Sequence, residues 1–166
     1  MKKIILIGFA CCGKSSVGKI LANRLNYAFV DTDCEIAKRS NLSVEEIFGR
    51  YGENYFRRLE SELLTTLVED CTVVSCGGGS VLSENFNAFS ADGRVVWLTA
   101  TAQTVHERLG DVPRPLFDKL SVDELTEYML RRNPFYEKYA HVKFATDCKT
   151  PEQVAEEIRD WFVKRH

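Results

Sequence analysis

The chain has 166 residues, of which 45% are hydrophobic and 28% charged, and its formal net charge is −2. That length suits one domain, 1–166, able to bury its own core without staples. The near-neutral charge excludes the basic stripe of a nucleic-acid or membrane-surface binder.

At the N-terminus, Lys2-Lys3 before the apolar run Ile4–Cys12 imitates a secretory signal. The run passes directly into Gly13-Lys14-Ser15 and an amphipathic helix, which a signal has no reason to do. No stretch reaches the ~18 apolar residues of a membrane span, and the six cysteines show no CxxC or zinc spacing. A cytoplasmic protein with free thiols is expected.

Strands are predicted at Ile4–Ile7, Ala28–Val30, Val73–Ser75, Val95–Leu98 and Val142–Ala145. Their continuous apolar character suits strands covered on both faces. Helical patterns lie between them, which implies an α/β fold with a parallel sheet. Ser43–Glu46 and Ser121–Glu124 are capping boxes, and Thr150-Pro151 with Gln153 starts the last helix. Val154, Ile158 and Phe162 form its sheet-facing stripe, and Phe56, Leu59, Leu63 and Leu67 form another. Pro134 is expected to end or kink the helix begun at Ser121. Two stretches stand outside the alternation: a helical excursion over 33–68 and a proline-bearing loop over 110–120. Insertions after strand ends are where α/β proteins place substrates.

Gly8-Phe9-Ala10-Cys11-Cys12-Gly13-Lys14-Ser15 matches G-x-x-x-x-G-K-[ST], between an apolar strand and a helix. Loop amides and a helix N-terminus can converge on a polyphosphate. Lys14 supplies a point charge, and the Ser15 hydroxyl suits Mg²⁺. ATP or GTP binding follows. No N-K-x-D or D-x-x-G argues for a GTPase switch.

Asp31 and Asp33 follow the second strand, beside the expected loop mouth. One can serve the Mg²⁺ shell, and the other can accept a hydroxyl proton. Gly77-Gly78-Gly79 allows close backbone approach to a ligand. Arg57, Arg114 and Arg132 sit beside aromatics, prolines or turns and suit an anion clamp. Arg58 reads as a solvated partner of Glu62. A thiol at Cys11 or Cys12, near a helix N-terminus and Lys14, is expected to be activated and shielded by nucleotide.

These residues together resemble the shikimate kinase family. The resemblance rests on the P-loop, Asp31-Thr32-Asp33, Phe56-Arg57-Arg58-Leu59-Glu60, Gly77–Gly79, Val112-Pro113-Arg114-Pro115-Leu116 and Arg132-Asn133-Pro134-Phe135-Tyr136. It implies a P-loop kinase fold whose five-stranded parallel sheet has order 2-3-1-4-5, flanked by helices. It also implies a substrate-binding excursion over 33–68 and a lid over 110–120. The implied activity is transfer of the γ-phosphoryl of ATP to the 3-hydroxyl of shikimate, with Mg²⁺ and a monomeric enzyme.

By the resemblance, Lys14, Asp33 and Arg114 are catalytic, with Asp33 as base. Cys11, Cys12, Gly13, Lys14, Ser15, Ser16, Arg108 and Arg114 would contact ATP, and the turn at Thr150-Pro151 would lie near the adenine. Asp33, Arg57, Gly78, Gly79 and Arg132 would hold shikimate, with Glu60 orienting Arg57. Ser15, and Asp31 through water, would serve the metal. Cys11 departs from the family, which commonly has glycine there. A gluconate-type small-metabolite kinase, a nucleotide kinase and a non-catalytic nucleotide-binding module are the competing functions.

Overall fold

Strand β1 (Ile4–Ile7) is apolar at every position and wholly buried. β3 (Thr72–Ser75) is buried along its whole length too. Such strands need cover on both faces, and the chain supplies it with helices. The computed structural model describes residues 3–110, 114 and 116–165. Within them α1 (Lys14–Leu25), β2 (Ala28–Asp31), α2 (Thr32–Ser40) and α3 (Val44–Thr66) precede β3. A short 3₁₀ turn, Ser80–Leu82, and α4 (Phe86–Ser90) follow it. β4 (Arg94–Thr99), α5 (Ala102–Leu109), α6 (Val122–Tyr139), β5 (Val142–Ala145) and α7 (Pro151–Val163) complete the order.

The five strands form one parallel sheet in the order β2-β3-β1-β4-β5. Each predicted strand is present, within a residue or so of its expected ends. The edge strand β5 alternates between half-buried and exposed positions, so it is covered less fully than the sequence pattern suggests. Asp31 and Leu6 both register with Ser75, so the C-terminal ends of β2, β3 and β1 finish level. All three open onto one edge of the sheet, at the point where strand order reverses about β1.

Ser43, Ser121 and Thr150 cap their helices in reciprocal capping boxes. Val154, Ile158 and Phe162 of α7 enter the main core. The other stripe does not face the sheet. Phe56 and Leu63 join Ile36 and Ile47 in a second, smaller core between α2 and α3. One local expectation fails. α6 continues through Pro134 to Tyr139. The proline is on the helix's exposed side, and Leu130, whose carbonyl loses its donor, is 63% exposed, so water can satisfy it. The second helix begins at Thr32, because Asp31 caps it by accepting from the amides of Asp33 and Cys34. α3 is broken at Gly52, where φ is 82° and ψ is 174°.

Candidate active site

The loop after β1 turns on two positive-φ glycines, Gly8 (φ 144°) and Gly13 (φ 86°). A Cβ at Gly8 would strike the Leu98 carbonyl, so the loop can lie against β4 only with glycine there. Cys11 also sits in the left-handed region, at φ 58°. This is the backbone state that favours glycine, and the chain holds a larger residue in it. Lys14 is buried, and its ammonium donates to the carbonyls of Gly8 at 2.8 Å and Phe9 at 2.6 Å. Burial pushes its pKa down, against the attraction of groups that include Asp33.

Beside this loop, the Ser15 hydroxyl is hydrogen-bonded to the Asp31 carboxylate, and Ser75 Oγ lies 3.3 Å from Ser15 Oγ. Asp33 points into the space between the loop, α3 and the glycine run. Its side chain keeps 28% exposure, but it lines a concavity and is largely desolvated. Burial first, then the negative charges of Glu60 and Asp31, raise its pKa to about 6. Asp33 Oδ1 has no hydrogen-bond partner among the described residues.

Glu60 is 1% exposed and accepts from Arg57 at 2.9 Å and from Ser80 at 2.7 Å. The glycine run makes room for these groups. A Cβ on Gly77 would come within 2.6 Å of Glu60 and 2.7 Å of Asp33, and one on Gly79 would overlap the Arg57 guanidinium. Close approach within the chain therefore accounts for two of the three glycines, where the sequence suggested only a ligand.

Arg57, Arg108, Arg114 and Arg132 converge on one cleft of about 360 Å³, together with Lys14, Ser15, Ser16, Asp31, Asp33, Gly78 and Gly79. Arg114 Nη1 is 3.8 Å from Asp33, and its Nε has no hydrogen-bond partner among the described residues. Arg132 donates to the Gly78 carbonyl at 2.8 Å. Arg108 ties the loop to the end of β5, donating to Cys11 O at 3.0 Å and to Thr146. Val44, Phe48, Phe56, Leu116 and Phe117 supply an apolar wall. Arg58 stays outside, 3.9 Å from Glu62, as a solvated pair.

A family model described as shikimate kinase matches residues 10–162. The chain belongs to the shikimate kinase family. It is 40% identical over 161 residues to the shikimate kinase of Sulfurihydrogenibium sp. (strain YO3AOP1), covering 95% of this chain and 96% of that one. It is also similar to the solved shikimate kinase from Acinetobacter baumannii in complex with shikimate. The TM-score is 0.92 at 28% identity, over 99% of this chain and 94% of that one. The Aquifex aeolicus shikimate kinase structure aligns with a TM-score of 0.84 at 38% identity, over 98% of this chain and 97% of that one.

Several expectations for this shikimate kinase family member change at the residue level. The Cys12 side chain is 1% exposed in the main core, and burial pushes its thiol up, opposite to activation. Cys11 alone of the pair lines the cleft. Asp111–Pro113 and Pro115 of the expected lid lie outside the described residues. The sequence reading missed Thr32, which accepts from the Gly77 amide at 2.8 Å. It also missed Ser80 on Glu60 and the Tyr136 hydroxyl, which donates to Gly78 O at 2.6 Å. Tyr136 was legible in principle, because it stands one helical turn after Arg132 on the same face.

Proposed function

We propose that the chain transfers the γ-phosphoryl group of ATP to the 3-hydroxyl of shikimate, giving shikimate 3-phosphate and ADP. The observation that carries this reading is the gathering of charged groups in one cleft. Lys14, Arg57 and Arg132 all line it, together with Asp33 and Arg114, which lie 3.8 Å apart. A phosphate donor, an acid-bearing acceptor and a proton-accepting carboxylate each have a counterpart.

In this mechanism the loop from Gly8 to Gly13 and the side chains of Ser15 and Ser16 hold the ATP phosphates, and Lys14 neutralises the β and γ oxygens. Arg57 and Arg132 grip the shikimate carboxylate, with Glu60 fixing Arg57 through their 2.9 Å bond. Asp33 accepts the proton of the attacking hydroxyl at Oδ1 or Oδ2 and orients that oxygen. Arg114 meets the charge on the transferring group. The apolar wall limits the access of water, which would otherwise compete as acceptor.

Mg²⁺ fits the pair of hard oxygens at Ser15 and Asp31. Among the described residues no group of three acidic, histidine or cysteine side chains could hold a metal by itself. A site with few protein oxygens suits Mg²⁺, which keeps waters and phosphate oxygens as ligands. Ser15, and Asp31 through water, would hold the ion, which when bound would supply positive charge to neutralise the phosphates. Among the described residues no helix is long and apolar enough to cross a membrane, and the reading places a monomeric enzyme in the cytoplasm.

The test is ADP release from ATP and Mg²⁺ across a panel of hydroxyl acceptors. Turnover should appear with shikimate and stay at background with gluconate and nucleoside monophosphates. Turnover on either of those, with none on shikimate, overturns the assignment.

A further inference from the structure

Tyr136 is 1% exposed, yet its hydroxyl is aimed at the cleft-lining glycines. It shares an acceptor with Arg132: the Gly78 carbonyl takes Arg132 Nη1 at 2.8 Å and Tyr136 Oη at 2.6 Å. Two donors occupy both lone pairs of that oxygen. The chain has no cis peptides among its described residues, so the N–H of Gly79 points opposite to the Gly78 carbonyl. That amide donates no hydrogen bond to any described residue, and Gly79 lines the cleft against the Arg57 guanidinium.

A Gly–Gly peptide has little intrinsic orientation, because neither residue carries a Cβ to resist a flip. A flipped peptide would present a carbonyl oxygen, not an N–H, to an anion between Arg57 and Arg132. We propose that Tyr136 is a positioning residue for anion recognition. By anchoring the Gly78 carbonyl it holds the Gly79 N–H as a third donor beside the two arginines. Saturating the carbonyl also polarises the peptide and strengthens its N–H as a donor. Burial pushes the phenol well above its ordinary pKa, so it remains a donor at every working pH. The ring itself packs on Trp97, with centroids 5.7 Å apart. Ring and hydroxyl therefore have separable tasks.

This inference rests on the reading of shikimate as acceptor, and its experiment keeps the two apart. Tyr136→Phe retains the ring and deletes only the donor. The KM for shikimate should rise roughly five- to tenfold, the scale of one hydrogen bond, with the KM for ATP unchanged. The preference for shikimate over its methyl ester should fall by a similar factor, because the oriented N–H favours the charged group. The ¹⁵N resonance of Gly79, which reports hydrogen bonding at the preceding carbonyl, should move. Tyr136→3-fluorotyrosine has a stronger donor on a nearly unchanged ring and should move the resonance the other way.

Tyr136→Phe with wild-type KM and ester preference overturns the proposal. So does an equal loss for shikimate, ester and ATP, which would mark a merely structural hydroxyl. If the wild-type enzyme does not turn over shikimate, the acceptor reading fails, and the Gly79 resonance alone decides the positioning. An unmoved resonance in both variants overturns it.

Discussion

Asp33 ionises under opposing influences. Burial, Glu60 and Asp31 raise its pKa from 3.8 to about 6, while Arg114 and Lys14 pull it down. If it is the base, kcat/KM should fall about tenfold per pH unit below about pH 6 and level off above it. A pH–rate profile flat from pH 5 to 8 would remove Asp33 from that role. The same shift costs stability. Between 3.8 and 6 the folded state holds a proton that the unfolded chain has released, so stability falls as pH rises through this window. Asp33→Asn should therefore lose about 10²-fold in kcat and yet unfold at a higher Tm than wild type at pH 7.5. The gain, on the order of 2–3 kcal/mol, should disappear near pH 4. Thermal melts at the two pH values check it.

Arg114 belongs to the same pair. Arg114→Ala should cut kcat by about 10²-fold, the scale of a lost electrostatic donor. Arg114→Lys should recover little, since a point charge cannot reproduce the guanidinium fork. Removing the cation should also move the acid limb of the rate profile to higher pH, because Arg114 lowers the Asp33 pKa. Titration with shikimate should show nearly normal binding. Normal kcat with lost shikimate binding would make Arg114 a substrate clamp.

At the scale of elements, the break in α3 is the feature the sequence pattern did not announce. The helical stripe runs on either side of Gly52, so periodicity alone reads one helix. Its φ of 82° with ψ of 174° lies where only glycine is at ease, and a Cβ there would meet nothing within 4 Å. The constraint is thus in the backbone and not in packing. Gly52→Ala and Gly52→Ser should each destabilise by about 1–3 kcal/mol, visible as similar drops in Tm. Unchanged melting would mean that the two halves of α3 rejoin as a straight helix without cost. The break matters because Val44 and Phe48 before it and Phe56 and Arg57 after it all line the cleft.

Across the whole molecule, the cleft is an assembly of groups distant in sequence. Gly79, after β3, gives the Arg57 guanidinium of α3 its place. Gly79→Ala should push that flexible end aside, raising the KM for shikimate about tenfold or more while Tm and the KM for ATP barely change. A large loss of Tm would show instead that the backbone, not Arg57, gives way. The sequence by itself determined the strand–helix alternation, the three capping boxes and the phosphate loop. Each is a local code: periodicity, a cap within one turn, a glycine spacing. The family resemblance added the roles of the arginines and the sheet order. Only the tertiary structure decided that Cys12 faces the core and that Gly77 and Gly79 make room for carboxylates and a guanidinium. It likewise placed Tyr136 with Arg132 on one carbonyl. The physical reason is common to these cases. The pKa of Asp33 and the partners of the buried Ser80 and Tyr136 hydroxyls depend on groups far off in sequence, from 19 residues for Lys14 to 81 for Arg114, which only the packed fold brings together.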